Sequence, residues 1–141
     1  MVVHFPLALT LTSSALLLAA RLLRKEELRA TLAVVGTWNL CLGAAIAVVA
    51  LGTGLAAVLN LDVSVAARES ISAHAKWAIF TSLALVLLAV WRGAGTDSRS
   101  RPSWVFMVVL LAASAALIFT GYRGGQNVYR FGVGVEAAIH P

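Results

Sequence analysis

"ATLAVVGTWNLCLGAAIAVVALGTGLAAVLNL", residues 30–61, contains no Asp, Glu, Lys or Arg. A helix of about 20 residues crosses a hydrocarbon core roughly 30 Å thick, at 1.5 Å per residue. This stretch is longer than that, so its helix should tilt or project beyond the bilayer. Residues 1–20 and 102–122 are equally free of charge, and residues 70–91 carry Lys76 alone. Barrel strands would alternate in polarity, so these continuous apolar runs exclude a β-barrel. Composition agrees. The chain is 60% hydrophobic and 12% charged with a mean hydropathy of +0.90, whereas soluble domains carry about 25% charged residues. The expected fold is all-α, an integral membrane up-down-up-down four-helix bundle with short connections.

Spans are expected over about 3–24, 29–59, 72–91 and 102–122, making one transmembrane domain over 1–122 and a tail over 123–141. Pro6 is tolerated in a first helical turn, where its missing N–H has no partner to lose. Ser70 or Ser72 is a candidate N-cap for the third helix, and Pro102 or Ser103 opens the fourth. Trp77, Trp91 and Trp104 fall at the expected interfaces, where indole rings favour the headgroup level. Gly36, Gly43, Ala47 and Gly54 on the second helix read as close-packing positions. Cys41, the single cysteine, has no disulfide partner and reads as packing.

A net charge of +5 would suggest nucleic acid in a soluble protein; here the cations flank spans, and no nucleic-acid partner is expected. The first and third loops hold Arg21, Arg24, Lys25, Arg29, Arg92, Arg99 and Arg101, against Arg68, Lys76, Arg123 and Arg130 on the other side. By the positive-inside rule the first and third loops are cytoplasmic, which leaves both termini extracytoplasmic. The opening lacks the basic region of a cleavable signal and reads as a retained first span. The expected location is a bacterial inner membrane, with termini and central loop in the periplasm.

Chemistry is carried by the histidines. His4 and His74 each stand a few residues into a helix that starts from the same side, and His140 lies in the tail. Ionisable groups near spans are costly and usually functional. Bundles build cofactor sites from facing helices, and haem iron takes axial imidazoles. His4 and His74 are therefore candidate metal ligands for a b-type haem. Arg68, Lys76, Arg123 and Arg130 are candidate partners for its propionates. Each histidine alone also reads as a hydrated helix-end group, the four cations as a solvated rim, and His140 as an exposed tail residue. No CxxCH occurs, so covalent c-type haem is excluded. Nor does any Ser/His/Asp grouping, phosphate loop or ligand cluster for zinc or copper.

"VHFPLAL" (3–9), "SAHAKW" (72–77) and "GYRGGQNVYRFGVGV" (121–135) resemble the bacterial four-helix membrane proteins catalogued as a domain of unknown function. That family opens with an H-P-x-x-V-H-F-P pattern, carries a mid-chain histidine and closes with G-G-x-x-V-Y-x-x-G-V-G-V. The resemblance spans nearly the whole chain. It implies a four-helix membrane domain, and it implies a membrane-bound haem and electron transfer alongside cytochrome c and dehydrogenase partners. His4 matches the histidine of HFP, and His74 the mid-chain one. This chain begins too late for the earlier histidine, and Phe131 stands where many relatives have histidine.

The leading expectation is an electron-transfer subunit of an oxidoreductase complex, not itself catalytic. Its haem b would pass electrons between a periplasmic redox protein and the quinone pool or a neighbouring subunit. The alternative is a cofactor-free structural or accessory subunit whose tail docks a partner. A transporter fits poorly, because no span holds a mid-depth acidic residue or a broken segment.

Overall fold

The computed structural model describes residues 4–59, 64–94 and 97–133. Four helices account for almost all of them: α1 (His4–Leu22), α2 (Glu26–Val58), α3 (Val65–Ala94) and α4 (Trp104–Phe131). All four are long and apolar enough to cross a membrane, as the charge-free stretches require. At 33 residues, α2 is about 50 Å long and outreaches the hydrocarbon core.

Local chemistry sets the helix ends. Ser103 caps α4, its Oγ accepting the Phe106 N–H at 3.1 Å, and Pro6 lies buried in the first turn of α1. No side chain caps α2, but Glu26 and Glu27 in its first turn complement the positive end of the helix dipole.

Two boundaries differ from the sequence expectation. The third helix begins at Val65, not near Ser72, and Ser64 supplies the opening hydroxyl, accepting the Ala67 N–H at 3.3 Å. Ser70 and Ser72 are therefore interior positions. Arg68 and Glu69 argue against a span but not against a helix, and both are exposed on this extension. The fourth helix continues past Tyr122 to Phe131, so residues 123–131 of the expected tail are helix. Contacts with α3 hold this extension: Ser70 Oγ donates to Asn127 Oδ1 at 2.7 Å. Gly132, at φ 63°, closes the helix. The Gly132 and Val133 N–H groups return to the carbonyls of Val128 and Asn127, both at 3.0 Å; a left-handed residue there favours glycine. The expected tail beyond Val133, including His140, lies outside the described residues.

Each helix packs on its chain neighbours and α1 closes onto α4, while the diagonal pairs α1/α3 and α2/α4 have no Cα atoms within 8 Å among the described residues. Ser13 and Leu17 meet Gly36 while Thr10 meets Gly43, so α1 and α2 run in opposite directions. Ser13 Oγ donates to the Gly36 carbonyl at 2.8 Å. A Cβ on Gly36 would stand 2.8 Å from Leu17 Cγ, and Leu17 is fully buried with nowhere to retreat. Gly36→Ala should thus destabilise the bundle by about 1–3 kcal/mol, read as a lower unfolding midpoint in detergent. Gly52→Ala, which meets open space, should not.

The densest packing lies toward the end that carries the α1–α2 and α3–α4 turns. Leu17, Leu40, Leu85, Met107 and Leu110 are buried there with Leu88 and Phe106, and Trp91 meets Phe106 edge-on at 5.5 Å. Polar bonds tie the same end. The buried Arg92 donates to Thr37 Oγ1 (3.3 Å), Ser100 Oγ (3.2 Å), the Ser98 carbonyl (3.0 Å) and the Ser100 carbonyl (2.6 Å). Arg29 pairs with Glu26 and donates to the Arg99 carbonyl at 2.8 Å.

Candidate functional site

The opposite end of the bundle is hollow. A cavity of about 610 Å³ lies among all four helices, lined by His4 and Leu7 from α1, Leu51 and Gly54 from α2, His74 and Ser82 from α3, and Thr120, Gly121, Gly124 and Gly125 from α4, among others. That volume falls within the range of about 300–1,000 Å³ usual for small-molecule and cofactor sites. Small side chains help to open it: Ala47, Ala50, Gly54, Ala78, Gly121 and Gly124 line it beside larger aliphatics, whereas Leu, Met and Phe fill the other half.

His74 is anchored. Its Nδ1 lies 3.1 Å from the carbonyl oxygen of Thr120. A carbonyl only accepts, so Nδ1 carries the proton and Nε2 keeps the lone pair. Metal-ligating histidines are commonly held in this way, with the second nitrogen on a carbonyl or carboxylate. Gly124 makes the contact possible. It sits one turn beyond Thr120, and a Cβ there would stand 3.0 Å from His74 Cε1. The absent side chain lets the imidazole lie against α4 and reach a helical carbonyl. Trp77, one turn further along α3, packs edge-on against Phe119 at 4.9 Å and closes this flank.

His4, in the first turn of α1, is exposed and lines the same cavity. The two imidazoles that sequence alone singles out thus reach one space from diagonal helices whose backbones do not touch. The four candidate propionate partners are placed differently. Arg68, Lys76 and Arg130 are exposed and do not line the cavity. Arg123 does not line the cavity either, but it adjoins Gly124, which does; it is half-buried, and its Nε is shielded without a hydrogen-bond partner.

Sequence reasoning missed the α4 side of the site. Gly121, Gly124 and Gly125 were assignable to one helical face by their i, i+3, i+4 spacing, yet "RGGQN" has the composition of a loop. Asn127, buried and lining the cavity, was likewise read as tail. No periodicity argument could find the Thr120 carbonyl, because every residue has one.

A family model described as "Predicted membrane protein (DUF2231)" matches residues 1–137. The chain belongs to that family. The match takes in all four helices and both histidine-bearing segments, so the DUF2231 unit and the bundle described above coincide. No curated protein and no solved structure matches the chain.

The donor set on the cavity is two imidazoles. No group of three or more His, Cys, Asp and Glu with metal-holding geometry exists among the described residues, so a bare ion would find only two imidazoles here. A haem brings four ring nitrogens of its own and asks the protein for axial ligands only. His74 has its Nε2 lone pair, His4 a second imidazole, and Gly124 allows the close approach of His74 to α4.

Proposed function

We propose that this DUF2231 protein is a membrane-anchored b-type cytochrome subunit, with His4 and His74 as the axial ligands of a haem in the cavity. One observation carries the proposal: His74 is held by Nδ1 on the Thr120 carbonyl, with Nε2 left as a lone-pair donor, on a cavity it shares with His4. The bound haem would supply one-electron chemistry. The chain's own residues would hold His74 in a single tautomer and line the plate with apolar surface, with Arg123 beside Gly124 as the cation adjacent to the cavity rim. The largely apolar lining, with axial-ligand identity, would tune the reduction potential.

As a cytochrome subunit it would pass electrons between a redox protein such as a cytochrome c and either the quinone pool or a neighbouring subunit. The proposed orientation puts the histidine end in the periplasm of a bacterial inner membrane, because the opposite end carries the larger share of basic residues.

The test is a reduced-minus-oxidised absorbance spectrum of the purified full chain, expressed with ample haem. A b-type band at near-stoichiometric amount is the expected result. Its absence would leave the cofactor-free accessory subunit as the better description. Gly124→Val should lower haem occupancy at least about tenfold, the scale of second-shell changes at metal sites, because its side chain takes the space of the His74 ring. Gly52→Ala meets open space away from the cavity lining and should leave occupancy unchanged.

A further inference from the structure

We propose a second binding site, for the phosphate of an anionic phospholipid, on the seam between α1 and α4 at the basic end of the bundle. The Arg21 guanidinium lies over the Trp104 ring, 4.9 Å from its centroid. Its Nε is shielded and has no hydrogen-bond partner. Arg101 stands beside it, donating from Nη2 to the Leu23 carbonyl at 3.1 Å, and Arg24 follows at once in the chain. The Arg21 and Arg101 side chains thus both lie at the α1 C-terminus, with Arg24 next in the chain.

Glu26 is close enough to Arg101 to interact electrostatically, but no ion pair to Arg21, Arg24 or Arg101 forms among the described residues. Residues 21–29 and 92–101 hold seven basic and three acidic side chains, and the one ion pair among the described residues joins Arg29 to Glu26. Arg21 sits against an indole and has no ion pair among the described residues, so a charge-assisted bond to its guanidinium from outside is the missing element. Below the cations the surface turns apolar: Leu22, Trp104 and Val105 are all more than half exposed. Indole rings favour the headgroup level of a bilayer. A phosphate diester held above acyl chains matches this order of cation, indole and aliphatic surface. Free phosphate would use only the top of it. This site is independent of whether the cavity holds haem.

The experiment is native mass spectrometry of the full chain released from vesicles of equal parts phosphatidylglycerol and phosphatidylcholine. Preferential retention of phosphatidylglycerol is expected, and Arg21→Gln and Arg101→Gln should each reduce it about fivefold, the scale of one cation near an anionic surface. Arg99→Gln removes the same charge from the same end but away from this seam, and should leave retention unchanged. Equal retention of the two lipids by the wild type overturns the proposal. So does an equal loss in Arg99→Gln, which would mean bulk charge alone. Displacement of the lipid by inorganic phosphate would make the ligand a free anion and likewise overturn it. If Arg21→Gln does not fold, Arg101→Gln against Arg99→Gln gives the same decision.

Discussion

His74→Ala should abolish the haem band, with helical content unchanged. The substitution removes the proposed inner ligand and its anchor together, since Nδ1 is what meets the Thr120 carbonyl. It also leaves a hole against Gly124, whose lack of a side chain exists to receive the ring. A loss of about a hundredfold or more in haem affinity is expected, beyond the range of second-shell effects. Free imidazole added to His74→Ala should restore the band in part by occupying that hole, a recovery a misfolded variant would not show. His4→Ala should act differently. His4 is exposed in the first turn of α1, so its removal should leave haem bound through His74 with a broadened and shifted band. A haem band unaltered in both variants would sink the ligand assignment while leaving the fold untouched.

Arg92→Met should be the most destabilising change away from the cavity, at about 3 kcal/mol. Arg92 is only 3% exposed, and it donates to one hydroxyl on α2 and to the Ser98 and Ser100 carbonyls of the α3–α4 turn. Taking the guanidinium away leaves the buried Thr37 hydroxyl and the part-buried Ser98 and Ser100 carbonyls without their donor, and an unsatisfied buried group costs about 1–3 kcal/mol. Lysine should recover only part of the loss, because a single ammonium cannot span the fork that reaches Thr37 and both carbonyls. Denaturant unfolding of the full chain in detergent measures the difference. The haem spectrum should remain that of the wild type, since Arg92 stands at the end of the bundle remote from His74. A spectral change in Arg92→Met would mean that the two ends are coupled.

The class of fold was legible because one physical quantity decides it: the length of chain without a charge. Residues 30–61 and 102–122 needed no further information to read as spans. The histidines were legible for a related reason, since an imidazole near a span stands out against apolar neighbours. The limits of α3 and α4 were not. Arg68, Glu69 and the Gly124–Gly125 pair end a hydrophobic run without ending a helix, and only the bonds Ser70–Asn127 and His74–Thr120 reveal that the helix continues. Composition reports where hydrocarbon stops; backbone hydrogen bonding obeys tertiary contacts. The same gap hid Arg92. In sequence it is one cation of a polar turn, and its burial follows from where the turn residues Ser98 and Ser100 fold back.

The division between a leucine-packed half and a hollow half has an electrical consequence. The cavity is lined down to Thr81, Ser82 and Leu117, and beyond it Leu17, Leu40, Leu85 and Leu110 fill the bundle with no exposure at all. That plug has the low dielectric of a dry protein interior, so most of a transmembrane voltage falls across it and little across the cavity. A charge arriving in the cavity from the histidine end has therefore done almost none of the work of crossing the membrane. Whatever occupies the hollow senses the potential of the compartment it opens to, and the remaining half of the protein serves as an insulator.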